Sequence, residues 1–182
     1  MTCQCDCTHI GLANRRSFIA GVACTAILPM GANAQLAGPP ATGDVTFMRM
    51  AIEEARLADF PFGAVIVRDG AVMARGRNLG RTNQDPTAHG EMDAIRKCLA
   101  EHGPAAVRGS TLYTSGEPCA MCMGAILWSH VGRLVFAASV TQLATKIDQI
   151  MLSSAEVAAK APFASISITG GVLADEAMTL FR

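Results

Sequence analysis

From residue 44 onward, apolar positions recur first at helical and then at strand spacing. Phe47, Met50, Ala51, Glu54 and Ala55 follow a candidate N-cap, Asp44, and predict a first helix to about Ala58. Phe60-Pro61-Phe62-Gly63 breaks it. Ala64–Val67, the pair Asp69-Gly70 and Ala71–Arg77 read as a β-hairpin closed by a two-residue turn. Residues Asn78 to Thr87 form a polar loop. His89–Glu101 places Met92, Ile95 and Leu99 on one face of a second helix, which Gly103-Pro104 ends. Thr111–Thr114 is a strand, and Cys119–His130 is a third helix with Met123, Ile126 and Leu127 as core. Arg133–Ala138 is the next strand. A helical segment near Val140–Met151, a Ser/Ala-rich stretch, a short strand at Ser165–Ile168 and a last helix at Leu173–Phe181 complete the chain.

This order predicts one α/β domain. Its five strands make a central mixed sheet, sandwiched by helices as a three-layer α-β-α fold. The 182-residue chain is 51% hydrophobic, enough for a sizeable core, and its formal charge is zero. A chain-wide basic footprint for nucleic acid is therefore absent.

The first 34 residues have a different pattern. Asn14-Arg15-Arg16-Ser17-Phe18 precedes an apolar run, Ile19 to Met30, and Ala32-Asn33-Ala34 supplies small residues at cleavage-site spacing. The run is shorter than the roughly 20 residues a membrane span needs. The adjacent arginines resemble a twin-arginine signal. The expected division is a signal peptide over 1–34, a Pro/Gly linker over 35–43 and a folded domain over 44–182. The mature protein is expected in the periplasm, or in the cytoplasm if residues 1–34 do not act as a signal. No stable membrane span is expected in the mature form. Cys3, Cys5, Cys7 and Cys24 lie in this leader, so only Cys98, Cys119 and Cys122 remain beyond it, too few for a disulfide framework.

Pro118-Cys119-Ala120-Met121-Cys122 puts two thiols on one face of a first helical turn. The positive end of that helix favours the thiolate, the form that binds metal. Taken alone the pair is open to a redox or a metal role. A zinc clamp needs further ligands. His89-Gly90-Glu91, at the start of the second helix, combines with the Pro-Cys-x-x-Cys to match the signature of zinc deaminases. Three protein ligands leave one zinc position open to water, whose pKa zinc lowers. A carboxylate beside that water can move its proton.

Phe60 to Ala138 resembles the cytidine deaminase-like superfamily. The resemblance rests on Pro61–Val67, Asp69-Gly70, Asn78, Asp85–His89, Glu91, Leu112–Ser115, Glu117-Pro118-Cys119, Met121-Cys122, Gly124–Ile126 and Trp128. Within it the chain is most similar to bacterial guanine deaminases and related nucleoside deaminases, and the tRNA adenosine deaminases share most of these residues. The resemblance implies one Zn²⁺ per chain held by His89, Cys119 and Cys122, with Glu91 as the catalytic proton shuttle. It implies substrate contacts from Asn78, His89 and the loop Phe60–Ala64, including Phe62 and Ala64. The reaction implied is hydrolytic deamination of a nucleobase or nucleoside, guanine-like first, by a zinc-activated hydroxide with release of ammonia. The alternatives are a cytosine or cytidine deaminase or a tRNA adenosine deaminase, and last a non-catalytic zinc module, which would have no use for Glu91. A homodimer is expected, and nucleic acid is not expected as a partner. The chain departs from the guanine enzymes in Gly90, in Gly116, in a segment Val140–Met151 whose only acid is Asp148, and in ending at Phe181-Arg182 without their aromatic tail.

Overall fold

The computed structural model describes residues 35–36 and 40–181. The expected signal peptide lies outside the described residues, as does part of the expected linker. The elements are β1 (Gln35–Leu36), α1 (Asp44–Arg56), β2 (Gly63–Arg68), β3 (Ala71–Arg77), α2 (Gly90–His102), α3 (Pro104–Val107), β4 (Thr111–Gly116), α4 (Ala120–Trp128), β5 (Arg133–Ala138), α5 (Val140–Leu143), α6 (Ser154–Ala159), β6 (Ser167–Thr169) and α7 (Ala174–Met178).

The sheet order is β1-β6-β5-β4-β2-β3. β2 is antiparallel to β3 and β4, whereas β4, β5, β6 and β1 run parallel. The sheet is therefore mixed, with the five expected strands and a two-residue edge strand, β1, from the segment read as linker. Asp69 and Gly70 both have positive φ, 49° and 78°, the geometry that matches a tight hairpin turn to strand twist.

Side chains of the inner strands alternate between two cores, as the period of two requires. Ala64, Ile66, Leu112, Leu134 and Phe136 face a core closed by α2, α4 and α6. Val65, Val67, Tyr113, Val135 and Ala137 face the other, closed by α1, Leu143 and α7. Burial on both faces explains why β2 and β5 are almost wholly apolar. Asp44 and Arg133 tie the second layer together through two hydrogen bonds, Nη1 to Oδ1 at 2.7 Å and Nη2 to Oδ2 at 2.8 Å.

Gly103 caps the end of α2, so Gly103-Pro104 ends that helix as expected, and Pro104 also opens α3, where its fixed φ suits a first helical position. Three expectations need correction. The helix expected over 140–151 is only α5; Ser139 and Gln142 form its capping box, and turns follow. The Ser/Ala-rich stretch hides α6, started by a second capping box from Ser153 and Glu156. The last strand and helix are shorter and slightly later than their apolar patterns suggest. Among the described residues, no helix is long and apolar enough to cross a membrane.

Candidate active site

The parallel strands β4 and β5 end on one side of the sheet, the side where open α/β folds hold ligands. The starts of α2 and α4 meet there. His89 and Cys119 are the N-cap residues of these two helices. Their side chains thus lie at helix ends that carry partial positive charge, beside Cys122 one turn into α4. Gly90 lets the start of α2 lie close against the backbone at Phe62: a Cβ there would lie 2.9 Å from the Phe62 carbonyl oxygen.

His89 Nδ1 lies 3.7 Å from Cys119 Sγ and 3.5 Å from Cys122 Sγ. A tetrahedral zinc, with bonds of about 2.3 Å to sulfur and about 2.0–2.1 Å to nitrogen, sets sulfur and nitrogen about 3.5 Å apart. All three donor atoms lie within 4.8 Å of one another. The donor set and its spacing therefore fit zinc. The hydrogen bond with Cys122 holds the Cys119 thiol far below its ordinary range, at about 4. The same contact and burial push Cys122 up. The bond to Cys119 raises His89.

Glu91 is 3% exposed, and burial raises its carboxyl above the ordinary range. Thr114 Oγ1 lies 3.2 Å from Glu91 Oε1 and 3.1 Å from the Gly116 carbonyl oxygen. This one hydroxyl can donate to the carboxylate, or accept from the acid while donating to the carbonyl.

A cavity of about 340 Å³ opens onto these groups. Phe60, Phe62, His89, Glu91, Glu117 and Cys119 line it together with the irregular stretch Ile147–Ile150. Asn78 lies in a neighbouring cavity that shares Phe60 and His89 with the first. Its Oδ1 accepts the Gly80 N–H at 3.0 Å, and its backbone is bonded to Phe62 and Asp59. Phe62 is a wall of the main cavity. Ala64 is not at either cavity: it is fully buried in the core, because β2 packs between sheet neighbours and helices there.

Two groups were not anticipated. Glu117 accepts backbone N–H groups from Val140 at 2.8 Å and Ser154 at 2.7 Å, the first residues of α5 and α6. It thereby pins both ends of the segment that carries Asp148 to the cavity wall. An acid directly before the Pro-Cys pair was the available signal. Phe181 meets the Phe62 ring edge-on at 5.2 Å and so stands as an aromatic behind the cavity wall.

A family model described as the cytidine and deoxycytidylate deaminase zinc-binding region matches residues 41–138, more than half of the chain. The guanine deaminase of Bacillus subtilis (strain 168) is 50% identical over 84 residues, 46% of this chain and 54% of that protein. The tRNA-specific adenosine deaminase of the same organism is 42% identical over 101 residues, 53% of this chain and 63% of that one. The matched segment thus spans between half and two thirds of these relatives. The solved structure of NE0047 in complex with 2,6-diaminopurine superposes with a TM-score of 0.67 at 28% identity, covering 79% of this chain and 82% of that one. The paired helix starts, the zinc-spaced donors and the matched region agree: the chain belongs to the cytidine and deoxycytidylate deaminase zinc-binding family, within the cytidine deaminase-like superfamily.

Proposed function

We propose that the protein hydrolyses the exocyclic amino group of a free purine base or nucleoside, guanine-like first, releasing ammonia. The observation that carries this reading is the Glu91 carboxyl, buried beside the His89–Cys119–Cys122 cluster and facing the cavity. His89, Cys119 and Cys122 would hold zinc, which as a Lewis acid lowers the pKa of a water it binds. Glu91 takes a proton from the attacking water and delivers it to the departing nitrogen. The balance is one water consumed, one C–N bond broken, one C=O formed and one ammonia released. The Phe60 and Phe62 rings give the base apolar surface, and burial keeps bulk water from Glu91. The guanine deaminase relative and the diaminopurine-bound neighbour support a purine.

The test is Glu91→Ala, assayed for ammonia release from guanine, adenine, cytosine, their nucleosides and tRNA. Loss of about 10²- to 10⁴-fold with zinc retained is expected. Undiminished release would remove Glu91 from the reaction. The tRNA adenosine deaminase relative supports RNA as a second reading. Asp175 and Glu176 in α7 weigh against it, since phosphate recognition relies on cations.

We further propose a homodimer through α4. This helix carries no charged residue: Cys122, Met123, Ile126 and Leu127 face the core, yet Met121 and Trp128 on the other side are exposed. Trp128, 72% exposed, stacks on Phe163 at 4.4 Å. Exposed stacked rings suit the centre of an interface. Trp128→Ala should shift sedimentation towards monomer, and an unchanged dimer would exclude this face. For residues 1–34 we propose twin-arginine export to the periplasm. Replacing Arg15 and Arg16 by Lys in a fusion to a folded reporter should abolish export.

A further inference from the structure

The end of β4 bears a residue whose missing side chain shapes the cavity. A Cβ at Gly116 would lie 2.9 and 3.2 Å from two ring carbons of Phe62, and 3.0 Å from Leu143 Cδ1. At such distances a neighbour must move. Phe62 is the neighbour with space on one side, because part of its ring faces the cavity. Behind it stands Phe181, buried and packed edge-on at 5.2 Å. The ring therefore stands between the backbone of β4 and Phe181, with the cavity as an open side.

We propose that Gly116 sets the size limit of the substrate cavity, acting through Phe62 with Phe181 as the support behind the ring. This rests on the reading that the cavity receives the base. With no side chain at 116, the ring sits back and leaves width for a bicyclic base. A side chain at 116 drives the ring inward and favours a monocyclic one. Gly116 and Phe181 are positioning residues here, since neither lines the cavity. Thr114 offers a competing route, because its hydroxyl touches both Glu91 and the Gly116 carbonyl. A change at 116 felt along that route would lower kcat and would not depend on the size of residue 62.

The experiment compares Gly116→Ala with the double variant Gly116→Ala, Phe62→Leu. One methylene in an apolar pocket is worth about 10- to 200-fold in discrimination. The single variant should raise KM for the purine by about tenfold or more, with a smaller change for a pyrimidine and little change in kcat. Phe62→Leu alone, which removes part of the base's apolar surface, is the reference for the double variant, and adding Gly116→Ala to it should leave its purine KM unchanged. An unchanged KM in Gly116→Ala, or a further rise in the double variant over Phe62→Leu, overturns the proposal. If the wild-type protein deaminates no free base, the functional reading fails separately. The crystal structure of Gly116→Ala then decides: a Phe62 ring displaced into the cavity supports the proposal, and an unmoved ring overturns it.

Discussion

The Thr114 hydroxyl stands 3.2 Å from Glu91 Oε1, and its alternative partner is the carbonyl of Gly116 at 3.1 Å. In the proposed reaction Glu91 must be held in both of its protonation states, and this hydroxyl can serve each by turning. Thr114→Val should lower kcat by about 10- to 100-fold, as changes next to metal-site groups do, while zinc content stays the same. Thr114→Ser keeps the hydroxyl and should retain most activity. Equal kcat in the Val variant would show that Glu91 needs no such partner.

Asp44 predicts an acid sensitivity. Its carboxylate is 1% exposed and accepts both Arg133 nitrogens, the Tyr113 hydroxyl at 2.9 Å and the Ala41 N–H at 2.7 Å. The Arg133 bond, first among these, holds its carboxyl below the ordinary range. A lowered folded pKa stabilises above the unfolded value, about 3.9, and that stability is lost as pH falls through the folded value. Breaking a buried pair costs about 3–5 kcal/mol, so Asp44→Ala should lower the urea midpoint at pH 7 substantially. The gap from wild type should shrink below about pH 4. A gap that stays constant down to pH 2 would contradict this account.

Glu117→Gln tests the pinning of the cavity wall. Val140 and Ser154 bond different oxygens of the carboxylate, and an amide replaces one of these with a donor, so one buried N–H loses its partner at about 1–3 kcal/mol. Proteolysis within 144–152 should accelerate while zinc stays bound. Unaltered cleavage would mean the segment holds itself.

Metal content gives the simplest measurement. Purified protein should carry about one zinc per chain, and His89→Ala, Cys119→Ser and Cys122→Ser should each lose it, with a lower Tm. Zinc retained by all three variants would reject the ligand set.

The metal cluster was legible because its ligands sit at helix starts, and N-cap positions leave marks in the sequence: a loop, then His89 or Pro118-Cys119, then apolar spacing. β2 and β5 were legible because burial on both faces forces apolar runs, and β3 because Asp69-Gly70 marks the turn before it. The far wall was not. Residues 147–150 have no periodicity, and their place depends on a carboxylate some thirty residues earlier in the chain, a relationship no local pattern records. Ala64 shows the reverse, since Phe60 and Phe62 of the same loop line the cavity but β2 turns the Ala64 side chain into the core. Phe181 depended on a contact between the loop before β2 and the chain's end, which spacing cannot express.

The two bonds of Glu117 also bear on how such a protein can diverge. They clamp the loop at its two ends and make no demand on the residues between. The stretch around Ile147–Ile150 can therefore change its side chains, as an exchangeable cassette, without disturbing the backbone on either flank or the cysteine two positions from the clamp. On the proposed function, new substrates can be explored in that cassette while the His89, Cys119 and Cys122 cluster stays as it is.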